Sequence, residues 1–402
     1  MPRSPIRFRP PALAISSEAR WMLLRAFGPP SAPPPRPVDA AACLALARRF
    51  ELSARVAARN GRERLAAELG AETADGFRRD QSMTAALGLR LLAVARDVAE
   101  AAVPLDLPLV VFLKYVALDA VGLPVVGARS ACDVDVLVPA GREGDLQRAL
   151  LARGYHDSGL REGEHQLPSL THPGGGKVEV HRRMPGVRPA SSRSATLEAL
   201  AGAGLLSAVP GLPGRCAVPV PGVLAAHALV HGLGQHGFWP DSYPLFKMVG
   251  DLADLGFADP GKLEEIAPWV ARDVSREEAE AVRRLCGALV AGSDPAGWPG
   301  EEGEEVGGEM VLLRHILAGR LDPDYAAAMR LGFFHSQPSD HPPLVRLLRS
   351  VVDALVLSRA QIDAIYGPPR HPLGYLGRRL ARPLDLLRRL GSYGIKALRV
   401  RP

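Results

Sequence analysis

Apolar residues recur with different rhythms along this chain. Residues 1 to about 38 show no period at all: Pro, Arg and Ser dominate, and the stretch ends in the run SAPPPRPVD. A segment of that makeup buries too little apolar surface to offset its ordering entropy, so it is read as a flexible Pro/Arg-rich arm. From Asp39 to Val103 the apolar positions fall at helical spacing. Leu44, Leu46, Ala47 and Phe50 are one such series, and Leu87, Leu89, Leu91, Leu92 and Val94 are another. Two or three helices are expected there.

A second rhythm begins at Pro108. The run PLVVFLK, Pro108 to Lys114, is short, apolar and partly β-branched, the pattern of a buried strand. A helix-like segment, YVALDAVG, follows, and then CDVDVLV, which alternates acid and valine at its start. A helix is expected over Arg142 to Arg153, ahead of Gly154. Strands over Glu164 to His172 and Lys177 to Arg183 would be joined by a Pro-Gly-Gly-Gly turn. These elements make a small α/β domain over residues 104–186. Beyond Ser191 helical spacing returns near 221–237, 242–256, 275–291, 302–318 and 342–366, giving a helical domain over 187–369. The fold class expected is α+β: a small mixed-sheet domain flanked by N- and C-terminal helical segments.

Composition adds one feature, an uneven charge. The chain of 402 residues carries a formal +6. From Arg370 to Pro402 there are eight Arg and one Lys against the single acid Asp385, so this tail is more basic than the whole. Leu373, Leu376, Leu380, Leu384, Leu387 and Leu390 are interleaved with the arginines at helical spacing. This basic amphipathic tail, 370–402, suits an anionic partner: a membrane surface, RNA or an acidic protein. The bland alternative is a solvated helix closing the fold. The four cysteines, Cys43, Cys132, Cys216 and Cys286, are widely spaced and form no CxxC pair, which fits a reducing, cytoplasmic compartment. No continuous apolar stretch predicts a signal peptide or a transmembrane segment.

The chemistry concentrates in Asp133-Val134-Asp135-Val136-Leu137-Val138. Side chains at i and i+2 of a strand share a face, so Asp133 and Asp135 stand side by side while the valines turn into a core. Two carboxylates roughly 6.5 Å apart repel by about 2.5 kcal/mol at an effective dielectric near 20. A divalent cation, Mg²⁺ or Mn²⁺, would turn that repulsion into binding energy. In Lys177-Val178-Glu179-Val180-His181 the same alternation puts Glu179 and His181 on one face. If the two strands pair, Asp133, Asp135 and Glu179 converge as metal ligands for in-line attack on phosphorus. The bland reading of an acid-x-acid strand is the wet face of a sheet.

The order LKYVALDAVG, then a loop holding Arg129, then ACDVDVLV, then VEVHRR resembles the uncharacterised bacterial nucleotidyltransferase family of the DNA polymerase β-like superfamily. The downstream segments HALVHGLGQHG and FKMVGDLADL resemble its helical half. The resemblance implies a nucleotidyltransferase moving a nucleoside monophosphate from an NTP to a hydroxyl-bearing acceptor, with release of pyrophosphate. It implies Asp133 and Asp135 as paired metal ligands and Glu179 as the third catalytic acid. Lys114 and Arg129 would neutralise the triphosphate, Arg being suited to bidentate contact. The family has Gly after the Lys, where this chain has Tyr115. A side chain there would block or reshape the triphosphate pocket. That departure motivates the alternative of a catalytically inactive nucleotide- or partner-binding accessory protein.

Other features have competing readings. His227, His231 and His236 invite zinc, but HALVH lacks the Glu of HExxH, and packing against the catalytic sheet competes, with His231 lining the pocket. Lys247 and Asp251 are spaced as an ordinary i, i+4 helix pair or as substrate contacts. His181 is either a nucleotide-binding residue or structural. PGGGK, Pro173 to Lys177, lacks the Walker spacing and reads as a hairpin turn.

Overall fold

The computed structural model describes residues 7–8, 15–157, 165–184, 187, 195–232, 245–270, 274, 276–293, 306–307, 371 and 373–384. The N-terminal helices are α1 (Ser17–Phe27), α2 (Ala40–Arg49), α3 (Ser53–Leu69) and α4 (Ala71–Ala102). A two-residue ladder pairs β1 (Arg7–Phe8) with β9 (Val306–Gly307). A seven-stranded mixed sheet follows, built from β2 (Val110–Phe112), β3 (Asp133–Leu137), β4 (His156–Asp157), β5 (Leu170–Thr171), β6 (Lys177–His181), β7 (Leu206–Ala208) and β8 (Cys216–Pro219). Its order is β4-β5-β6-β3-β2-β8-β7. Helices α5 (Lys114–Ala120), α6 (Glu143–Ala152) and α7 (Leu197–Gly202) connect its strands. Helices α8 (Pro221–Val230), α9 (Leu245–Asp254), α10 (Pro260–Val270) and α11 (Arg276–Ala291) come after it. Among the described residues no helix is long and apolar enough to cross a membrane.

The mixed sheet with helices on either side in sequence is the α+β architecture that the sequence predicts. Three expectations are corrected. Residues 17–27 lie in the segment read as a flexible arm, yet they form α1. Ser16 caps it, its hydroxyl accepting from Ala19 N at 3.1 Å. Its face carries Trp21, Met22, Leu23, Ala26 and Phe27, all buried, so the apolar density here is high enough to dock. Second, the sheet extends past residue 186 through β7 and β8, which lay in the expected helical domain. Prolines at 219 and 221 hide β8 from a pattern search, although its four residues are all buried. Third, a helix was expected over 302–318, but Val306–Gly307 is extended in β9. The remainder of that range, and 342–366, lie outside the described residues. The Pro-Gly-Gly-Gly segment is the turn between antiparallel β5 and β6, with Gly175 and Gly176 at φ 90° and 94°, where Gly is strongly favoured.

One core joins helices and sheet. Leu91, Val94, Ala95 and Val98 of α4 are buried, as are Val134 and Val136 of β3 and Val178 and Val180 of β6. The N-terminal helices are tied by a buried ion pair. Arg25, 1 % exposed, gives two hydrogen bonds to Glu68, at 2.9 and 2.7 Å, and Trp21 Nε1 donates to the same carboxylate at 2.9 Å. Burial pushes the Glu68 carboxyl upward, but the donors Arg25, Arg64 and Trp21 outweigh it and hold it below its ordinary value.

A second contact fixes α5. Tyr115 is 1 % exposed, and its hydroxyl sits where a Cβ on Gly88 of α4 would be, 2.1 Å away. Glycine in mid-helix costs roughly 1 kcal/mol relative to Ala, and here it makes room for the phenol. The hydroxyl is buried without a hydrogen-bond partner.

Two outcomes are expected in urea unfolding. Gly88→Ala should destabilise by about 1–3 kcal/mol despite its better helix propensity, and Tyr115→Phe in that background should recover most of the loss. The Glu68 carboxylate, depressed in the fold, contributes stability that is complete above about pH 4.3 and is lost as pH falls through its folded value. Unfolding curves from pH 7 to pH 3 should therefore show a steeper acid loss in the wild type than in Glu68→Gln.

Candidate metal and nucleotide site

The site grows out of the register between two parallel strands. β3 and β6 pair so that Asp135 lies opposite Glu179, Leu137 opposite His181 and Asp133 opposite Lys177. Alternation sends Val134, Val136, Val178 and Val180 to one face and the acids and His181 to the other. Asp135 is buried, while Glu179 retains some exposure.

Lys114, two residues past the end of β2, completes the arrangement. It begins α5 at the junction of strand and helix, with φ 44°, in the left-handed region that costs a non-glycine residue about 1–2 kcal/mol. Its ammonium lies 2.7 Å from Asp135 Oδ1. His181 Nε2 meets the same oxygen at 2.9 Å and stands 3.8 Å from Glu179 Oε2. Oδ2 of Asp135 is buried and has no hydrogen-bond partner, and the same holds for His181 Nδ1. The ring of His165 stacks on His181 at 5.5 Å with 19° between planes.

The electrostatics split the two carboxyls. Burial alone would raise Asp135, but the Lys114 charge and the His181 hydrogen bond and charge hold it well below the usual carboxylate range. Glu179 is pushed up, first by burial and then by the negative charge of Asp135, with Lys114 and His181 opposing in part. His165 is pulled down to about 3 by burial and by the nearby cations, so it stacks as a neutral ring.

Asp135, Glu179 and His181 each offer a ligand atom, and these atoms lie within 4.8 Å of one another. Two carboxylates and an imidazole suit a divalent cation, and the orphaned Oδ2 of Asp135 is an acceptor still lacking a positive partner. The donor set fits a metal. The group differs from the one the sequence suggests. Asp133 shares the face, but its register partner is Lys177 and it stands outside the three-residue group. His181 enters in its stead.

Arg129 and Asp251 were not expected to meet. Arg129 gives two hydrogen bonds to Asp251 of α9, at 2.6 and 2.8 Å, with both side chains 9 % exposed. Its guanidinium also lies 5.9 Å from the Tyr115 ring centroid. Both Asp251 oxygens are thus engaged by Arg129, and Lys247 reaches Glu51 at 3.5 Å. Lys114, Arg129, His227, His231 and Asp251 line one small cleft together with Leu118 and Leu224. His231 was expected there; Asp251, 122 residues from Arg129, had no sequence signal that tied it to the loop. His227 and His231 lie 5.5 Å apart, and neither belongs to a metal-binding group among the described residues. His236 lies outside the described residues. Tyr115 does not line the cleft, because its ring is turned into the core against Gly88.

No curated protein and no solved structure matches the chain. A family model described as uncharacterised nucleotidyltransferase does, over residues 36–248, a span that holds Lys114, Asp133, Asp135, Glu179, His181 and both cleft histidines. By that match over more than half its length, the chain belongs to the uncharacterised nucleotidyltransferase family.

Proposed function

We propose that this protein transfers a nucleoside monophosphate from an NTP to a hydroxyl-bearing acceptor, releasing pyrophosphate. The observation that carries this reading is the group Asp135, Glu179 and His181, with its unpartnered buried carboxylate oxygen, in a chain of a nucleotidyltransferase family. These three residues would hold Mg²⁺ or Mn²⁺, with Asp133 at the edge of the site. When bound, the ion supplies positive charge to the phosphoryl group being transferred.

The residues themselves have distinct tasks. Lys114 is a mobile charge: its ammonium neutralises Asp135 and swings to a triphosphate oxygen when that carboxylate gains another partner. Glu179 is the member of the group that retains some exposure, so its carboxylate can face the acceptor. It accepts the proton of the acceptor hydroxyl as that oxygen bonds to the α-phosphorus and the bond to the β-phosphate oxygen breaks. His181 fixes Asp135 through Nε2, and His165 holds the His181 ring by stacking. Arg129 sets the positive wall of the cleft, oriented by its fork on Asp251. The ring of Tyr115 packs against Gly88 and stays out of the cleft lining, which favours turnover over the silent-binder reading. NTP supply and the four unpaired cysteines favour the cytoplasm.

Calorimetric titration with ATP, GTP, CTP and UTP, each with and without Mg²⁺, tests this reading. At least one nucleotide should bind only with the metal. Asp135→Asn and Glu179→Gln should each weaken that binding by tenfold or more, and Asp133→Asn by less, circular dichroism reporting an intact fold. Nucleotide binding indifferent to metal and to both substitutions would refute the proposed site.

A further inference from the structure

The nucleotide site leaves one feature unused, the helix over 373–384. Leu373, Leu376, Leu380 and Leu384 are 70, 56, 70 and 70 % exposed. Their spacing of three, four and four puts all four on one stripe of the helix, and that stripe faces outward. Arg382, at the opposite side of the helical wheel, is 9 % exposed and faces inward. Arg379 falls on one flank of the stripe and is exposed, Arg378 lies one turn before Arg382 on the side away from it, and no acidic residue occurs between 373 and 384. Across 370–402 the sequence carries eight Arg and one Lys against Asp385 alone.

We propose that this helix docks the protein on an anionic lipid surface, lying in the interface plane with its leucine stripe among the acyl chains. Three observations select that partner. An exposed stripe of four leucines on a helix is explained by an apolar phase, and a polyanion such as RNA would leave it in water. No aromatic series accompanies the arginines, as stacking on single-stranded bases would require. The positive charge is also spread along 33 residues in a leucine–arginine alternation, which suits a diffuse sheet of negative headgroups. Arg379, on the flank of the stripe, places its guanidinium at headgroup level while its stem covers apolar surface. The contact is peripheral and reversible. It is independent of the nucleotide site.

Cosedimentation of the full-length chain with vesicles tests it, using phosphatidylcholine alone and phosphatidylcholine with about 30 % phosphatidylglycerol. Binding is expected to the anionic vesicles and to be at least tenfold weaker to the neutral ones. Both Leu376→Ser with Leu380→Ser and Arg378→Gln with Arg379→Gln should reduce it by at least tenfold, while Asp135→Asn should leave it unchanged. Since the leucines are exposed, their replacement spares the core, and an unaltered thermal midpoint checks this. Absence of binding to anionic vesicles overturns the proposal. So does binding that survives the leucine pair, which would be adsorption by charge alone. Preferential capture of single-stranded RNA or of an acidic peptide over the vesicles, unaffected by the leucine pair, would assign the tail to that partner and overturn it as well.

Discussion

Burying the Asp135 carboxylate is the constraint around which this protein is organised. Removing a carboxylate from water costs several kcal/mol unless charge and hydrogen bonds replace the solvent. Here one oxygen receives both Lys114 and His181, and the other receives nothing. The ion pair with Lys114 requires the chain to enter the left-handed region at that residue, and the contact with His181 requires β6 to lie parallel to β3 in one register. A shift by one residue would send the acids and His181 into the valine core. The half-satisfied carboxylate is a poor stability device and a good receptor for a cation.

The helices around the sheet serve that geometry. Gly88 of α4 admits Tyr115 and so holds the start of α5, where Lys114 sits. Arg129 and Asp251 pin the loop ahead of β3 to α9 and close one side of the cleft. Further out, Arg55 of α3 holds Asp254 of α9 at 2.7 and 2.6 Å, and Arg25 with Glu68 locks α1 to α3. Each link joins residues far apart in sequence, so the site depends on the helical segments as much as on the strands that carry its acids.

Part of this was legible in the sequence. Alternation in CDVDVLV and KVEVH tells which side chains share a face: it points to Asp133, Asp135 and Glu179 as metal ligands and leaves His181 between a nucleotide-binding and a structural role. Alternation alone cannot give the register between two strands, and register is what favours His181 over Asp133 as the third member. Arg129 carried a motif signal as a phosphate ligand, but its fork on Asp251 depends on tertiary packing that no local pattern encodes. Helix α1 was missed because prolines flank it, although Ser16 followed by SEARWMLLRAF holds both a cap and an apolar face. Strand β8 was missed for the same cause. The expected strand over 164–172 survives only as Leu170–Thr171, with an isolated bridge from Gln166 to His181.

In the proposed function Asp135, Glu179 and His181 act as one ligand set. Pulsed electron paramagnetic resonance of Mn²⁺ added to the full-length protein tests it most directly, because an imidazole ligand leaves a nitrogen coupling on the bound ion. A single bound Mn²⁺ is expected, with nitrogen coupling that disappears in His181→Gln and binding that falls at least tenfold in Asp135→Asn. Bound Mn²⁺ without nitrogen coupling, or with an affinity that Asp135→Asn leaves untouched, would contradict it.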